Sequence, residues 1–235
     1  MSASAYVTAV LADSPAAFWE LQDASGDPAD SSGHGHNMTA VTGPLAYLDP
    51  GPFGSDYSIR FGDLAAATQA SFDFSVNNIS MEAWIQIVAA GSNFKGPFGN
   101  NAPSKGWDVD LTSTRHVTVV CQGVAIEASS VAALPEPTSP AKPYLPILGV
   151  GGGGGIAAWT MVTVVRAAGT WKYYINGSLD TANAGTATPN AIDGTCTCGI
   201  ANATGHGDQR FAYVSYYTSA LSATQVAAHW SAAEA

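Results

Sequence analysis

Asp108-Val109-Asp110 is the one carboxylate pair at strand spacing in this chain, and Trp107 stands directly before it. Alternation along a strand sends Asp108 and Asp110 to the same face. Two carboxylates on one face can share the acid and nucleophile work of glycoside cleavage, grip sugar hydroxyls, or simply form a solvated strand face. The indole of Trp107, beside Gly106, is the strongest candidate for an exposed aromatic platform against which a sugar could stack. Trp107, Asp108 and Asp110 are therefore the candidate ligand-binding residues. Other chemistry is thinly represented. The five glutamates (Glu20, Glu82, Glu127, Glu136 and Glu234) are too far apart in sequence to pair in one strand. There is no Gly-x-Ser-x-Gly elbow, no His-Glu-x-x-His helix and no phosphate loop. His34 and His36 could ligate a transition metal, but two ligands do not make a site, and solvated loop histidines are the simpler reading. Cys121 lies in an apolar run and reads as core. Cys196 and Cys198, at i and i+2, are neither a disulfide framework nor a zinc set.

The elements that must position these residues read as β. Tyr57–Phe61 alternates polar and apolar residues. Residues 79–89 carry Met81, Ala83, Ile85 and Ile87 on one face and Glu82, Trp84, Gln86 and Val88 on the other, a strand buried on both sides. Further strands are expected at 17–21, 106–112, 115–121, 124–128, 159–166, 170–176, 197–201 and 211–217. Asn176-Gly177 signals a type I′ hairpin turn. Residues 22–56, rich in Gly, Pro, Asp and Ser, are expected to be mostly loop. Five prolines between 135 and 146 and five glycines at 151–155 make a long loop over about 135–156, the expected partner contact. Residues 5–12 predict a short helix. A second helix begins at Ser222, where Gln225 completes a capping box, Leu221 and Val226 form a hydrophobic staple, and Val226 and Trp230 share the docking face.

Composition narrows the class. The chain has 235 residues, 46% hydrophobic and 11% charged, with a net charge of −10. That is enough apolar material for one large domain over 1–235, and far fewer charges than the usual ~25%. Eight scattered Lys and Arg form no basic stripe, which argues against nucleic acid. No apolar run is long enough for a membrane-spanning helix. The opening residues lack the basic and apolar regions of a signal peptide, so synthesis in the cytoplasm is expected.

Motifs along the chain resemble the laminin G-like branch of the concanavalin A-like lectin/glucanase superfamily. They are Val10-Leu11-Ala12-Asp13-Ser14-Pro15-Ala16-Ala17-Phe18-Trp19-Glu20-Leu21, Asp30-Ser31-Ser32-Gly33-His34-Gly35-His36-Asn37, Ile79-Ser80-Met81-Glu82-Ala83-Trp84-Ile85, Trp171-Lys172-Tyr173-Tyr174-Ile175-Asn176-Gly177, and Tyr216 through Trp230. The resemblance implies an all-β, two-sheet antiparallel jelly-roll sandwich with a short C-terminal helix. It implies core roles for Trp19, Trp84 and Trp171. It also raises a calcium ion at Asp30, although His34 and His36 replace the family's asparagines and Ala212-Tyr213 stands where Asp-Glu is usual. Either Asp30 ligates calcium, or Asp30 and Gly33 shape a turn. The superfamily's glucanases carry Glu-x-Asp-x-Glu on one strand, which this chain lacks, so a non-enzymatic role is expected. The Ala-rich, charge-poor composition resembles that of bacteriophage virion proteins. The expectation is a virion surface protein, a minor tail or head decoration protein, whose partners are other virion proteins, copies of itself or a host-surface glycan. A free calcium-dependent lectin is the alternative, and a glycan-cleaving enzyme the second alternative.

Overall fold

The structure, a computed structural model, describes residues 3–38, 45–61, 67–73, 78–89, 94–102, 105–121, 123–136, 158–189, 193–198 and 208–235. Most of the loop expected over about 135–156 lies outside the described residues, as do residues 199–201 of the strand expected at 197–201.

After helix α1 (Ala3–Ala12), the chain forms β1 (Ala17–Trp19), β2 (Leu45–Pro50), β3 (Tyr57–Phe61), β4 (Ala67–Asp73), β5 (Ile79–Ala89), β6 (Phe94–Ala102) and β7 (Lys105–Leu111). There follow β8 (Val117–Cys121), β9 (Ala125–Ile126), β10 (Thr160–Ala167), β11 (Thr170–Ile175), β12 (Ser178–Gly185), β13 (Asp193–Cys198), β14 (Asp208–Tyr217) and helix α2 (Ala223–Glu234). They make an eight-stranded sheet, β12-β11-β10-β5-β14-β3-β2 with β1 also on β14, and a six-stranded sheet, β4-β13-β6-β7-β8-β9. All pairings are antiparallel. This is the jelly-roll sandwich the sequence predicts. Strands β2, β4, β6 and β12 add to those expected. Among the described residues no helix is long and apolar enough to cross a membrane.

The two-faced pattern of β5 has a direct structural cause. It lies mid-sheet between β10 and β14, and both of its faces are covered. Met81, Ala83, Ile85 and Ile87 join Trp19, Trp171 and Tyr173 in the layer between the sheets, opposite Trp107, Val109, Val117 and Val119. Trp84 points the other way, into a second cluster with Tyr6 and Val10 of α1, Val226 and Ala233 of α2, and Phe53, Tyr213 and Tyr217. The two helices thus cover the outer face of the larger sheet. Burying each such large apolar side chain stabilises by about 1.5–3 kcal/mol. All three core tryptophans implied by the resemblance are at most 1% exposed, though in two different layers. Cys121 is buried as expected; burial, its main cause, pushes the thiol up to about 12, so it is inert at neutral pH.

Local signals fold as the sequence dictates. Ser222 has extended backbone and accepts from the Gln225 N–H, while the Ser222 N–H donates to Gln225 Oε1 at 2.9 Å. Asn176 and Gly177 both have positive φ (49° and 75°), as a type I′ turn requires. The Asn176 side chain accepts from the Met161 N–H at 3.0 Å, and the Asn176 N–H donates to Met161 O at 2.9 Å. The turn between β11 and β12 is thereby tied to the start of β10.

Candidate functional site

Trp107, Asp108 and Asp110 do not form one site. Gly106 belongs to β7, paired with Asn101, so alternation begins inside the strand. Trp107, Val109 and Leu111 face the other sheet; Trp107 is 0% exposed, with its ring centroid 6.3 Å from that of Trp171. The expected exposed platform is a core residue, and the physical reason is the strand period itself. Asp108 and Asp110 point to the opposite face. Asp108 is fully buried and Asp110 partly exposed, so neither an open acid pair nor a sugar-stacking triad is assembled.

Asp30 sits in the loop after β1, where all its acceptor capacity is engaged. Oδ1 accepts from the Phe18 N–H (2.9 Å) and the Ser32 N–H (2.9 Å). Oδ2 accepts from Ser32 Oγ (2.8 Å) and the His36 N–H (2.9 Å). A carboxylate offers about four lone-pair sites, and the protein itself fills four. Burial pushes this carboxyl up, but the Phe18, Ser32 and His36 N–H groups outweigh it and hold the group below the usual aspartate range. These residues do not fit a calcium ion. Asp30 shapes the turn, aided by Gly33 at φ +87°. His34 and His36 lie with ring centroids 6.5 Å apart, and His34 Nδ1 is 3.1 Å from Ser32 Oγ. Among the described residues no three His, Cys, Asp or Glu side chains group to hold a metal. Replacing Asp30 with alanine is expected to lower the unfolding free energy by about 2 kcal/mol at neutral pH. The depressed carboxyl contributes stability above its unfolded pKa and loses it as pH falls through the folded value. The deficit of the variant should therefore shrink in acid, and denaturation curves at pH 7 and pH 3, with and without chelator, check this.

Two constellations escaped the sequence. The first is buried under the helices. Glu82, 0% exposed, accepts from Tyr6 Oη (2.8 Å) and Thr163 Oγ1 (2.7 Å) and faces His229 Nδ1 at 3.0 Å. His229 Nε2 faces Asp13 Oδ2 at 3.1 Å. This Asp13–His229–Glu82 chain joins the end of α1, helix α2 and strand β5. It has the residue types of a proton relay, yet Glu82 and His229 are sealed from solvent, and its work is to fasten the helices.

The second constellation is open. At the turn between β10 and β11, a cleft of about 480 Å³ is lined by Asn78, Arg166, Ala168, Gly169, Thr186 and Thr188. Its size falls in the range of small-ligand sites. Ala168 and Gly169 turn with positive φ (48° and 82°), and the Ala168 N–H donates to Asn78 Oδ1 at 2.9 Å. Arg166 closes the apolar run Met161–Val165 and is 1% exposed. Its Nη2 donates to Thr188 Oγ1 at 2.8 Å, and its guanidinium lies 5.6 Å from the centre of the Trp171 ring. The far wall is pinned by Trp171 Nε1 donating to Ala187 O (3.0 Å) and by the Ala187 N–H donating to Glu127 Oε1 (2.6 Å). Burial depresses the Arg166 pKa, opposed by the neighbouring Cys121 and Glu127. A lone arginine ending a Val-Thr-Val-Val run was the available sequence signal. Thr186 and Thr188 carried none.

No family model matches the chain, and no curated protein matches it significantly. Solved structures do. The receptor-binding domain of botulinum neurotoxin type G aligns at TM-score 0.63 and 16% identity over 92% of this chain and 51% of that one. A botulinum neurotoxin type C structure, described as depending on two ganglioside molecules for cell entry, aligns at 0.64 and 16% identity over 97% and 53%. The binding domain of Paraclostridial Mosquitocidal Protein 1 aligns at 0.68 and 14% identity over 94% and 52%. The chain therefore spans about half the length of these structures. At such identities the likeness establishes the sandwich fold.

Proposed function

We propose that this chain is a non-enzymatic binding domain that adheres to glycan, and that it does so as a surface protein of a bacteriophage particle, a minor tail or head decoration protein. The observation that carries the adhesion reading is the open cleft at the β10–β11 turn, sized for one or two sugar rings and lined by hydroxyls, an amide and one cation. Sugars are bound by such polar groups at fixed positions rather than by bulk apolar area. The likeness to toxin domains named for receptor binding, one tied to gangliosides and one solved with rat synaptotagmin II, supports a role in recognition. The non-enzymatic reading is supported by where the acids lie. Glu82 and Asp108 are fully buried, and Asp30 is consumed by its own loop.

The laminin G-like motifs and the charge-poor, Ala-rich composition support the particle setting, with neighbouring virion proteins as further partners. Mass spectrometry and antibody-labelled electron microscopy of purified particles from the source lysate test that setting. A fixed copy number on tail or head is expected, and its absence from particles removes the virion reading. A glycan array probed with the purified protein tests adhesion. Binding to a defined set of glycans is expected, with no release of reducing sugar. Silence across the array removes the glycan reading.

A further inference from the structure

We infer that the Asp13–His229–Glu82 chain is a pH-sensitive latch on helix α1: when the imidazolium loses a proton, Asp13 is released and α1 leaves the outer face of the larger sheet while the sandwich stays folded. The first ground is geometry. Both ring nitrogens face carboxylate oxygens, Nδ1 toward Glu82 at 3.0 Å and Nε2 toward Asp13 at 3.1 Å. A neutral ring carries one N–H, so on deprotonation one of the two contacts turns from attraction to lone-pair repulsion. The two are not equivalent. Glu82 is 0% exposed, whereas the Asp13 side chain is 22% exposed. Water can satisfy Asp13, but a sealed Glu82 would bear the full cost of a lost donor. The remaining proton therefore stays on Nδ1, the Nε2 proton leaves on the Asp13 side, and Asp13 turns to solvent. Asp13 also directly follows the C-terminal end of α1, where the helix dipole disfavours a carboxylate. The imidazolium balances that charge only while it lasts.

The second ground is how lightly α1 is held. Of its ten residues Tyr6 and Val10 are buried, and Ala3 and Val7 are partly so. Tyr6 Oη donates to Glu82 at 2.8 Å, and Val10 O accepts from Tyr217 Oη at a long 3.5 Å. The helix carries no charged side chain, so no ion pair along its length supports it. A helix shorter than ~12–15 residues is marginal by itself in water. Helix α1 thus persists only while docked, and its release is a local unfolding of one element.

The third ground is that one group near the latch changes charge. Facing the ring are Glu82 of β5, Asp13 beyond α1, Tyr6 of α1 and Tyr217 of β14. Burial, with the Glu82 charge next, holds both phenols far above the ordinary tyrosine range, so they stay neutral. Burial pushes His229 down, and its contacts with Glu82 and Asp13 outweigh this, so it titrates above the ordinary histidine value. The latch is closed in acid and opens as pH rises through that folded value.

Millisecond hydrogen exchange of the intact chain, read by mass spectrometry from pH 6 to pH 10 and corrected for intrinsic rates, tests the latch. Nitrogen NMR of the His229 ring records its titration and tautomer alongside. Protection of α1 should fall about tenfold or more as His229 titrates, the factor that one charged hydrogen bond implies. Protection of β10 should hold, and the neutral ring should carry its proton on Nδ1. Asp13→Asn keeps the His229–Glu82 contact and removes the released anion. Its α1 should be less protected than wild type at pH 6 and nearly insensitive to pH. Should that variant fail to fold, the wild-type profile decides alone. Unchanged α1 protection across the titration, loss from α1 and β10 together, an Nε2–H ring, an imidazolium intact at pH 10, or an Asp13→Asn profile that follows wild type would each overturn the latch.

Discussion

Replacing His229 with alanine will lower the unfolding free energy by about 3–5 kcal/mol, the usual consequence of breaking a buried charged pair and leaving one partner behind. Each imidazole nitrogen of His229 faces a carboxylate oxygen, Nδ1 toward Glu82 at 3.0 Å and Nε2 toward Asp13 at 3.1 Å. Both nitrogens can donate at once only in the imidazolium. Burial by itself would lower the pKa of His229; the hydrogen bonds and charges of Glu82 and then Asp13 outweigh it, so the pKa lies above the ordinary histidine value. A raised pKa contributes stability that is complete below the unfolded value and is lost as pH rises through the folded one. Wild-type stability should therefore decline from near-neutral toward alkaline pH, and the gap to the alanine variant should narrow over the same window. Urea denaturation of both proteins at pH 6 and pH 9 measures this. A gap of the same size at both values would mean that the ring serves only by packing against Tyr6 and Tyr217.

That network also marks where sequence reading ends. His229 lies 147 positions from Glu82 and 216 from Asp13, and nothing in local pattern links residues so distant. What was legible was periodic or local: the two covered faces of β5, the Asn176-Gly177 turn, the Ser222 capping box. Strands escaped where their residues speak against strand. β6 contains Gly96, Pro97, Asn100 and Asn101, and its register with β7 shifts between Lys95 and Phe98 to take the breaker pair. β12, Ser178–Gly185, is mostly polar and small because it is a sheet edge. β2 ends in Asp49-Pro50 at the other edge of the same sheet.

The local pattern misleads at Trp107 for a related reason. Gly106 suggested a loop and hence an exposed Trp107, but a glycine with φ +76° can also stand inside a strand. Ala212-Tyr213, which stand where the laminin G-like resemblance implies Asp-Glu, have a packing role in the structure. Tyr213, at φ +53°, sits at a register shift in β14, donates its hydroxyl to Asp56 Oδ2 at 2.9 Å and packs on Phe53 and Tyr6. Tyr213 thus provides cover for the second core. The open cleft was illegible because Arg166 and the threonines opposite come from separate segments, joined only through the β10–β11–β12 meander.

The Gly177→Ala variant should lose about 3 kcal/mol, of which the backbone explains the smaller part. A residue with a Cβ at positive φ costs about 1–2 kcal/mol, and Gly177 has φ +75°. The larger part is collision. A Cβ there would lie 2.4 Å from Trp230 Cβ and 2.8 Å from Trp230 Cγ. These atoms begin the side chain, so no rotamer change relieves the contact. The ring beyond them is stacked on Trp84 at 5.6 Å between centroids. Helix α2 would have to lift as a body, and overpacking of this kind costs about 1–3 kcal/mol. Gly169→Ala separates the two contributions. It stands in a β-turn with a similar φ of +82°, and its nearest neighbour would be Arg166 Nη2 at 3.8 Å. It should show the backbone cost alone, leaving Gly177→Ala the less stable variant by about 2 kcal/mol. Combining Gly177→Ala with Trp230→Ala removes the collision partner, so the two losses should be strongly non-additive. Additive losses, or equal losses at the two glycines, would mean that α2 is not seated on the β11–β12 turn through Trp230. A non-additive result would identify that turn as the element that sets where the last helix docks.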